Sequence, residues 1–100
     1  MDARGDDWSE ETLMQIEEYG GLFWSLRKIA IVIEVEYSLL KASFEDEGII
    51  YKRYMKGLLI SELQLRKSIF EHAKAGSSPA QQMAIKMMRE AESSEEEDEI

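Results

Sequence analysis

The chain has no cysteine and a single proline among its 100 residues. Without thiols it has neither a disulfide framework nor a thiolate metal site, and nothing points to an oxidising compartment, so a cytoplasmic location is expected. Long apolar runs are missing as well. The longest, Ile29-Ala30-Ile31-Val32-Ile33, spans five residues, against the roughly 20 that a membrane-crossing helix needs. The opening segment, Met1 to Asp7, is acidic and lacks the apolar stretch of a signal peptide.

Histidine is nearly absent too. His72 is the only one, and with no cysteine to pair with it the usual base and nucleophile combinations cannot be assembled. A surface or packing role near the end of a helix is the expectation for it. Glu10-Glu11, Glu17-Glu18 and Glu45-Asp46-Glu47 are adjacent carboxylates, which point in different directions around a helix and do not recur with histidine at metal-ligand spacing. The six glycines are scattered apart from Gly20-Gly21, so no phosphate-cradling loop is present. The expectation is a protein without catalysis, cofactor or metal.

What remains is a chain that is 44% hydrophobic, enough for one modest core and one domain's worth of structure. Its net charge of −9 is unevenly placed. Residues 1 to 88 carry 14 acidic and 11 basic side chains, a net of −3, whereas residues 89 to 100 carry seven acidic and one basic, a net of −6. Between residues 49 and 74 the sign reverses, with Lys52, Arg53, Lys56, Arg66, Lys67 and Lys74 against Glu62 and Glu71, a net of +4. That stretch can face phosphates although the whole molecule is acidic.

Apolar periodicity predicts an all-α fold. Asp7 with Glu10 has capping-box spacing, and Leu13, Ile16 and Gly20 share one face of a first helix. Gly20-Gly21 should end it in a left-handed cap. Ser25 then caps a second helix whose Leu26, Ile29, Ala30 and Ile33 repeat at helical spacing. The β-branched run inside it suits a short buried strand equally well, and helix is preferred because no partner strand is visible. After a turn at Glu34-Val35-Glu36, a third helix runs from Tyr37 to about Asp46 with Tyr37, Leu40 and Phe44 inward, and Gly48 stops it.

One long helix is predicted over residues 49 to 75, with Tyr51, Met55, Leu58, Leu65 and Ile69 near one stripe and Leu59, Leu63 and Phe70 on the next. Ser78-Pro79-Ala80-Gln81 combines a serine cap with proline at the first helical position and glutamine at the third. The last helix, from Pro79, carries Ala80, Met83, Ala84, Met87 and Met88 at helical spacing, and should return along the long one as an antiparallel hairpin. Met55, Met83, Met87 and Met88 are expected inside that hairpin, and Trp8, Phe23 and Trp24 are expected to plug the core. The like-charge block from Ala91 to Ile100 buries almost nothing and is expected to be disordered, as are residues 1 to 7. The organisation is thus a helix-turn-helix region at 8–48, a helical hairpin at 49–90 and an acidic tail at 91–100.

Leu26 to Asp46, two short helices around a short turn, has the outline of a helix-turn-helix. Together with Leu22-Phe23, Ile29-Ala30-Ile31, Ile50-Tyr51-Lys52-Arg53-Tyr54-Met55-Lys56-Gly57, Glu62-Leu63-Gln64-Leu65-Arg66-Lys67-Ser68-Ile69 and Ala73-Lys74-Ala75-Gly76-Ser77-Ser78-Pro79-Ala80-Gln81, it resembles the small terminase subunits of tailed bacteriophages and prophages. The likeness covers residues 13 to 88. It implies a non-enzymatic DNA-packaging component of the bacterial host cytoplasm that recognises viral DNA and assembles into rings through its long helices. It also implies that the DNA is handed to a large subunit carrying the ATPase and nuclease, with the acidic tail as the candidate contact. Arg27, Lys28, Lys41, Lys52, Arg53 and Lys56 are then the candidate phosphate contacts, and Leu59, Leu63 and Phe70 lie nearer a subunit interface than Leu58 and Leu65. Two other functions suit the same pattern: a prophage transcriptional regulator, and a helical protein-interaction module that does not bind DNA.

Overall fold

The computed structural model describes residues 8 to 98, the last five of them by backbone alone. The described residues form five helices and no strand: α1 (Glu10–Gly20), α2 (Leu26–Ile33), α3 (Tyr37–Glu45), α4 (Ile49–Lys74) and α5 (Ser78–Asp98). The fold is all-α, as the patterning predicts. The described residues form two compact units that divide within α4, between Glu62 and Leu63.

In the first unit, Ser9 and not Asp7 caps α1. Its backbone is extended at the helix entrance and its hydroxyl accepts from the Thr12 amide at 3.1 Å, while Asp7 lies outside the described residues. Glu10 and Glu11 then occupy the first turn, where the helix dipole favours anions. Ser25 caps α2 as expected, accepting from the Lys28 amide at 3.3 Å. The β-branched run is helical. Helical spacing turns Ile29 and Ala30 into the core and leaves Ile31 and Val32 exposed, which alternation along a strand would not do.

The core of this unit consists of Leu13 and Ile16 from α1, Ile29 and Ala30 from α2, Leu40 from α3 and Ile50 from α4. Ile16, Ile29, Leu40 and Ile50 are fully buried. Trp8, Tyr19, Leu26, Ile33, Val35, Tyr37, Ile49 and Tyr54 pack around its edge. Truncating any one of the four buried aliphatics to alanine removes several methylenes from a closed site, a change that typically costs about 2–5 kcal/mol.

Two glycines bring α1 against α4. A Cβ on Gly57 would run into the carbonyl oxygen of Glu17, with the Glu17 carbonyl carbon and Cα at 2.8 and 3.2 Å, and one on Gly20 would meet Tyr54 O at 2.8 Å. The helices therefore touch backbone to backbone. Gly20-Gly21 ends α1 as predicted, but not by a left-handed cap: Gly21 is right-handed (φ −67°), and the chain reverses at Phe23, whose φ is 65°.

Ser43 on α3 is buried, and its hydroxyl has no hydrogen-bond partner. Burying an unsatisfied hydroxyl is unfavourable and serine is a poorer helix former than alanine. Ser43→Ala is therefore expected to raise stability by about 1 kcal/mol, read as a higher melting temperature by circular dichroism.

In the second unit α4 runs to Lys74, and α5 starts after a turn in which Gly76 is left-handed (φ 106°). Ser77, one residue earlier than expected, opens α5: its hydroxyl accepts from the Ala80 amide at 3.3 Å. Pro79 thus takes the second helical position, where its missing N–H still lacks an intrahelical acceptor. Gln81 does not reach back to the cap. Its side-chain amide donates to Ala73 O at 3.0 Å.

Ala80 and Ala84 are the buried residues of α5, whereas Met83 and Met88 are 51% and 56% exposed and Met87 is half-buried. Of the predicted inward stripe, the two alanines are buried, their small side chains permitting close approach, while Met83 and Met88 lie outside. Leu65 is exposed. The helix continues past the predicted end near Glu90 to Asp98. No glycine or proline interrupts it after Pro79, and Ala91, Glu92 and Ser93 are exposed. These turns are held by backbone bonds and local propensity.

Candidate nucleic-acid interface

α2 and α3 are joined by three residues, Glu34 to Glu36. Glu34 carries the reversal: its backbone is left-handed (φ 59°, ψ 47°), and the Val35 amide donates to Ala30 O at 3.0 Å. Glycine enters this conformation without strain and glutamate does so at some cost, so the surrounding packing fixes the turn. Ala30 beneath it is buried, and Val35 and Tyr37 close the inner side.

Five of the six predicted phosphate contacts are exposed side chains of this unit. Arg27 and Lys28 stand in the first turn of α2, Lys41 at the middle of α3, and Lys52 and Lys56 one turn apart on α4. The Arg27 guanidinium lies over the Tyr37 ring, 4.3 Å from its centroid. That contact ties the start of α2 to the start of α3 and fixes the direction of the charge. On α3 the outward residues include Ser38, Lys41 and Ala42, followed by Glu45, Asp46 and Glu47. A helix presenting one cation, Leu39 and two small side chains before an acidic end has little with which to read base edges.

Arg53 is the exception. Its Nε donates to Glu17 Oε1 at 2.7 Å and its Nη2 meets Glu10 Oε2 at 3.0 Å, with the guanidinium side chain 20% exposed. Glu10 and Glu17 are seven residues apart, two turns of one face of α1, so a single guanidinium spans both. Their hydrogen bonds, Glu10's first and then Glu17's, push the Arg53 pKa above its ordinary value against the burial that lowers it. Arg53 is thus a clamp between α1 and α4, and its charge is consumed within the fold.

The loop between α1 and α2 is fixed from the same side. Tyr54 donates its hydroxyl to Trp24 O at 2.6 Å, Trp24 leans on Tyr19 with ring centroids 5.4 Å apart, and Phe44 meets Tyr54 edge-on at 5.7 Å. Phe23, expected to plug the core, is 54% exposed because its left-handed backbone turns it outward.

Burial pushes the Tyr54 phenol pKa above its usual value of 10.0. Folding therefore favours the neutral phenol: the stability it contributes is present below the unfolded-state value and is lost as pH rises through the folded one. Unfolding free energy should fall above about pH 10. Tyr54→Phe should flatten that decline and cost about 1 kcal/mol near neutrality for the lost hydrogen bond, as read by urea melts across the pH series.

Leu59 and Leu63, predicted near an interface, are each about half exposed, at 51% and 52%. Phe70 is partly buried. His72 is exposed with Nδ1 2.8 Å from Ser68 O, a contact along its own helix. Among the described residues no three acidic or histidine side chains gather as a metal site, and no helix is long and apolar enough to cross a membrane. No family model matches the chain, and no similar curated protein or solved structure was found for it.

Proposed function

We propose that the chain is a DNA-binding, self-associating and non-catalytic component of phage-type DNA packaging, similar to a small terminase subunit. In this reading α2, the Glu34–Glu36 turn and α3 act as a helix-turn-helix, and α4 with α5 forms the helical hairpin through which copies associate. The observation that carries it is the placement of Arg27, Lys28, Lys41, Lys52 and Lys56 as exposed cations on one compact unit whose remaining arginine in α4's first half, Arg53, is already neutralised. Phosphate contacts of this kind dominate non-specific affinity and orient a protein on a duplex. With few base-reading groups on α3, binding is expected to be weakly selective for sequence.

A titration of labelled duplex by fluorescence anisotropy at low salt tests this. Lys28→Glu with Lys41→Glu, one on each helix of the pair, should weaken binding by more than about tenfold while leaving helicity unchanged. Unaltered affinity in that variant would remove α2 and α3 from the interface, and a wild-type chain that ignores DNA even at low salt would favour a protein-interaction module.

A further inference from the structure

α5 is a 21-residue helix whose only buried residues among those described are Ala80 and Ala84. Two alanines bury little apolar surface, whereas most helical stability in proteins comes from packing an apolar face. Its outward face is nevertheless patterned. Ile85, Met88, Arg89 and Glu92 stand at i, i+3, i+4 and i+7, so they share one stripe; Ile85 is 48% exposed and Met88 56%, and Arg89 and Glu92 are exposed as well. Glu90 and Glu92 are exposed at its acidic end, and the sequence beyond them remains acidic through Glu99.

On α4 a groove of about 440 Å³ is lined by Leu63, Arg66, Lys67, Phe70, Glu71 and Lys74. These six recur along one side of the helix, an apolar floor of Leu63 and Phe70 rimmed by Arg66, Lys67 and Lys74 with Glu71 among them. All of them belong to α4, so no residue of the chain's own α5 lines the groove. One face is apolar with three cations and Glu71 at its edges, and the other is apolar with Arg89 at its middle and an acidic end. They are complementary in both hydrophobicity and charge.

We propose that the groove of α4 from Leu63 to Lys74 receives the Ile85, Met88 and Glu92 face of α5 from a second copy of this chain, with Lys67 and Lys74 meeting the acidic end of the incoming helix. This rests on the reading that the chain self-associates, and it names the surfaces through which it does so. It also gives the acidic C-terminal stretch a role within the assembly. Because each copy carries one groove and one matching face, the contact either closes reciprocally in an isologous pair or runs heterologously from copy to copy around a ring.

The absence of cysteine from the wild-type sequence makes a direct test available. Chains bearing Lys67→Cys and differently tagged chains bearing Glu92→Cys are mixed and mildly oxidised; a disulfide joining the two tags is expected, and none with Lys28→Cys in place of Lys67→Cys. In parallel, Lys67→Glu with Lys74→Glu, and separately Glu90→Lys with Glu92→Lys, should each weaken self-association about tenfold or more by analytical ultracentrifugation. Mixing the two reversed chains should restore it. A wild-type monomer at tens of micromolar would overturn both the self-association reading and this one. An oligomer that survives the reversals and gives no mixed disulfide would overturn this one alone. Reversals that abolish DNA binding but leave the oligomer intact would assign the groove to nucleic acid and overturn it as well.

Discussion

Alanine in place of Gly57 is expected to destabilise the protein more than any other single-methyl change in the chain. The added Cβ would overlap the Glu17 carbonyl oxygen and sit 2.8 Å from its carbonyl carbon. The obstructing atoms are backbone, so no rotamer change relieves the overlap, and α1 and α4 must separate. Separation strains the Arg53 clamp to Glu10 and Glu17 and the Tyr54 bond to Trp24 O, both of which cross near the same place. Overpacking alone typically costs about 1–3 kcal/mol. With these contacts disturbed, a loss of about 3 kcal/mol or more is expected, a large share of the total stability of a small domain. Urea denaturation followed by circular dichroism measures it. Lys56→Ala, a neighbouring exposed position, should change stability by less than about 0.5 kcal/mol. A Gly57→Ala protein of unchanged stability would show that the two helices do not cross as described.

The second large effect concerns the basic stretch of α4. Lys52→Glu with Lys56→Glu is expected to lower DNA affinity about a hundredfold, because it removes two cations and places two anions on the proposed phosphate-facing surface. Both side chains are exposed, so helicity and melting temperature should be nearly unchanged. Arg53→Glu, one residue from Lys52, should behave differently. It would set a third carboxylate beside Glu10 and Glu17 in place of the guanidinium that joins them, and its first consequence is loss of stability. Anisotropy titrations paired with thermal melts distinguish these outcomes: a DNA defect without a melting change for the lysine pair, and a melting change first for Arg53.

The contrast between Lys52 and Arg53 illustrates what was legible in the sequence. Leu13, Ile16, Ile29, Ala30 and Leu40 lie in the core as their spacing predicts, because a buried stripe on a short helix is a local property of the sequence. The Ser25 cap and the turn at Glu34–Glu36 are local as well. Arg53 meets its partners 36 and 43 positions away, and a basic residue between Lys52 and Tyr54 carries no mark of such pairing. The i, i+7 spacing of Glu10 and Glu17 was the available hint. Gly57 was equally opaque, since a lone glycine in a long helical pattern indicates a weak point until the crossing partner is known. On α5, Ala80 and Ala84 are buried as their spacing predicts but Met83 and Met88 on the same stripe are not, because periodicity does not distinguish which member of a stripe lies at the point of closest approach.

The proposal that this acidic chain binds DNA through a small basic surface is tested most directly by the salt dependence of wild-type duplex binding. Arg27, Lys28, Lys41, Lys52 and Lys56 provide five candidate phosphate contacts per copy. Releasing the corresponding counterions predicts that the logarithm of the association constant falls linearly with the logarithm of salt concentration, with a slope of about −4 to −5 per bound chain. A slope near zero, or no association at the lowest salt at which the protein stays folded, would contradict it.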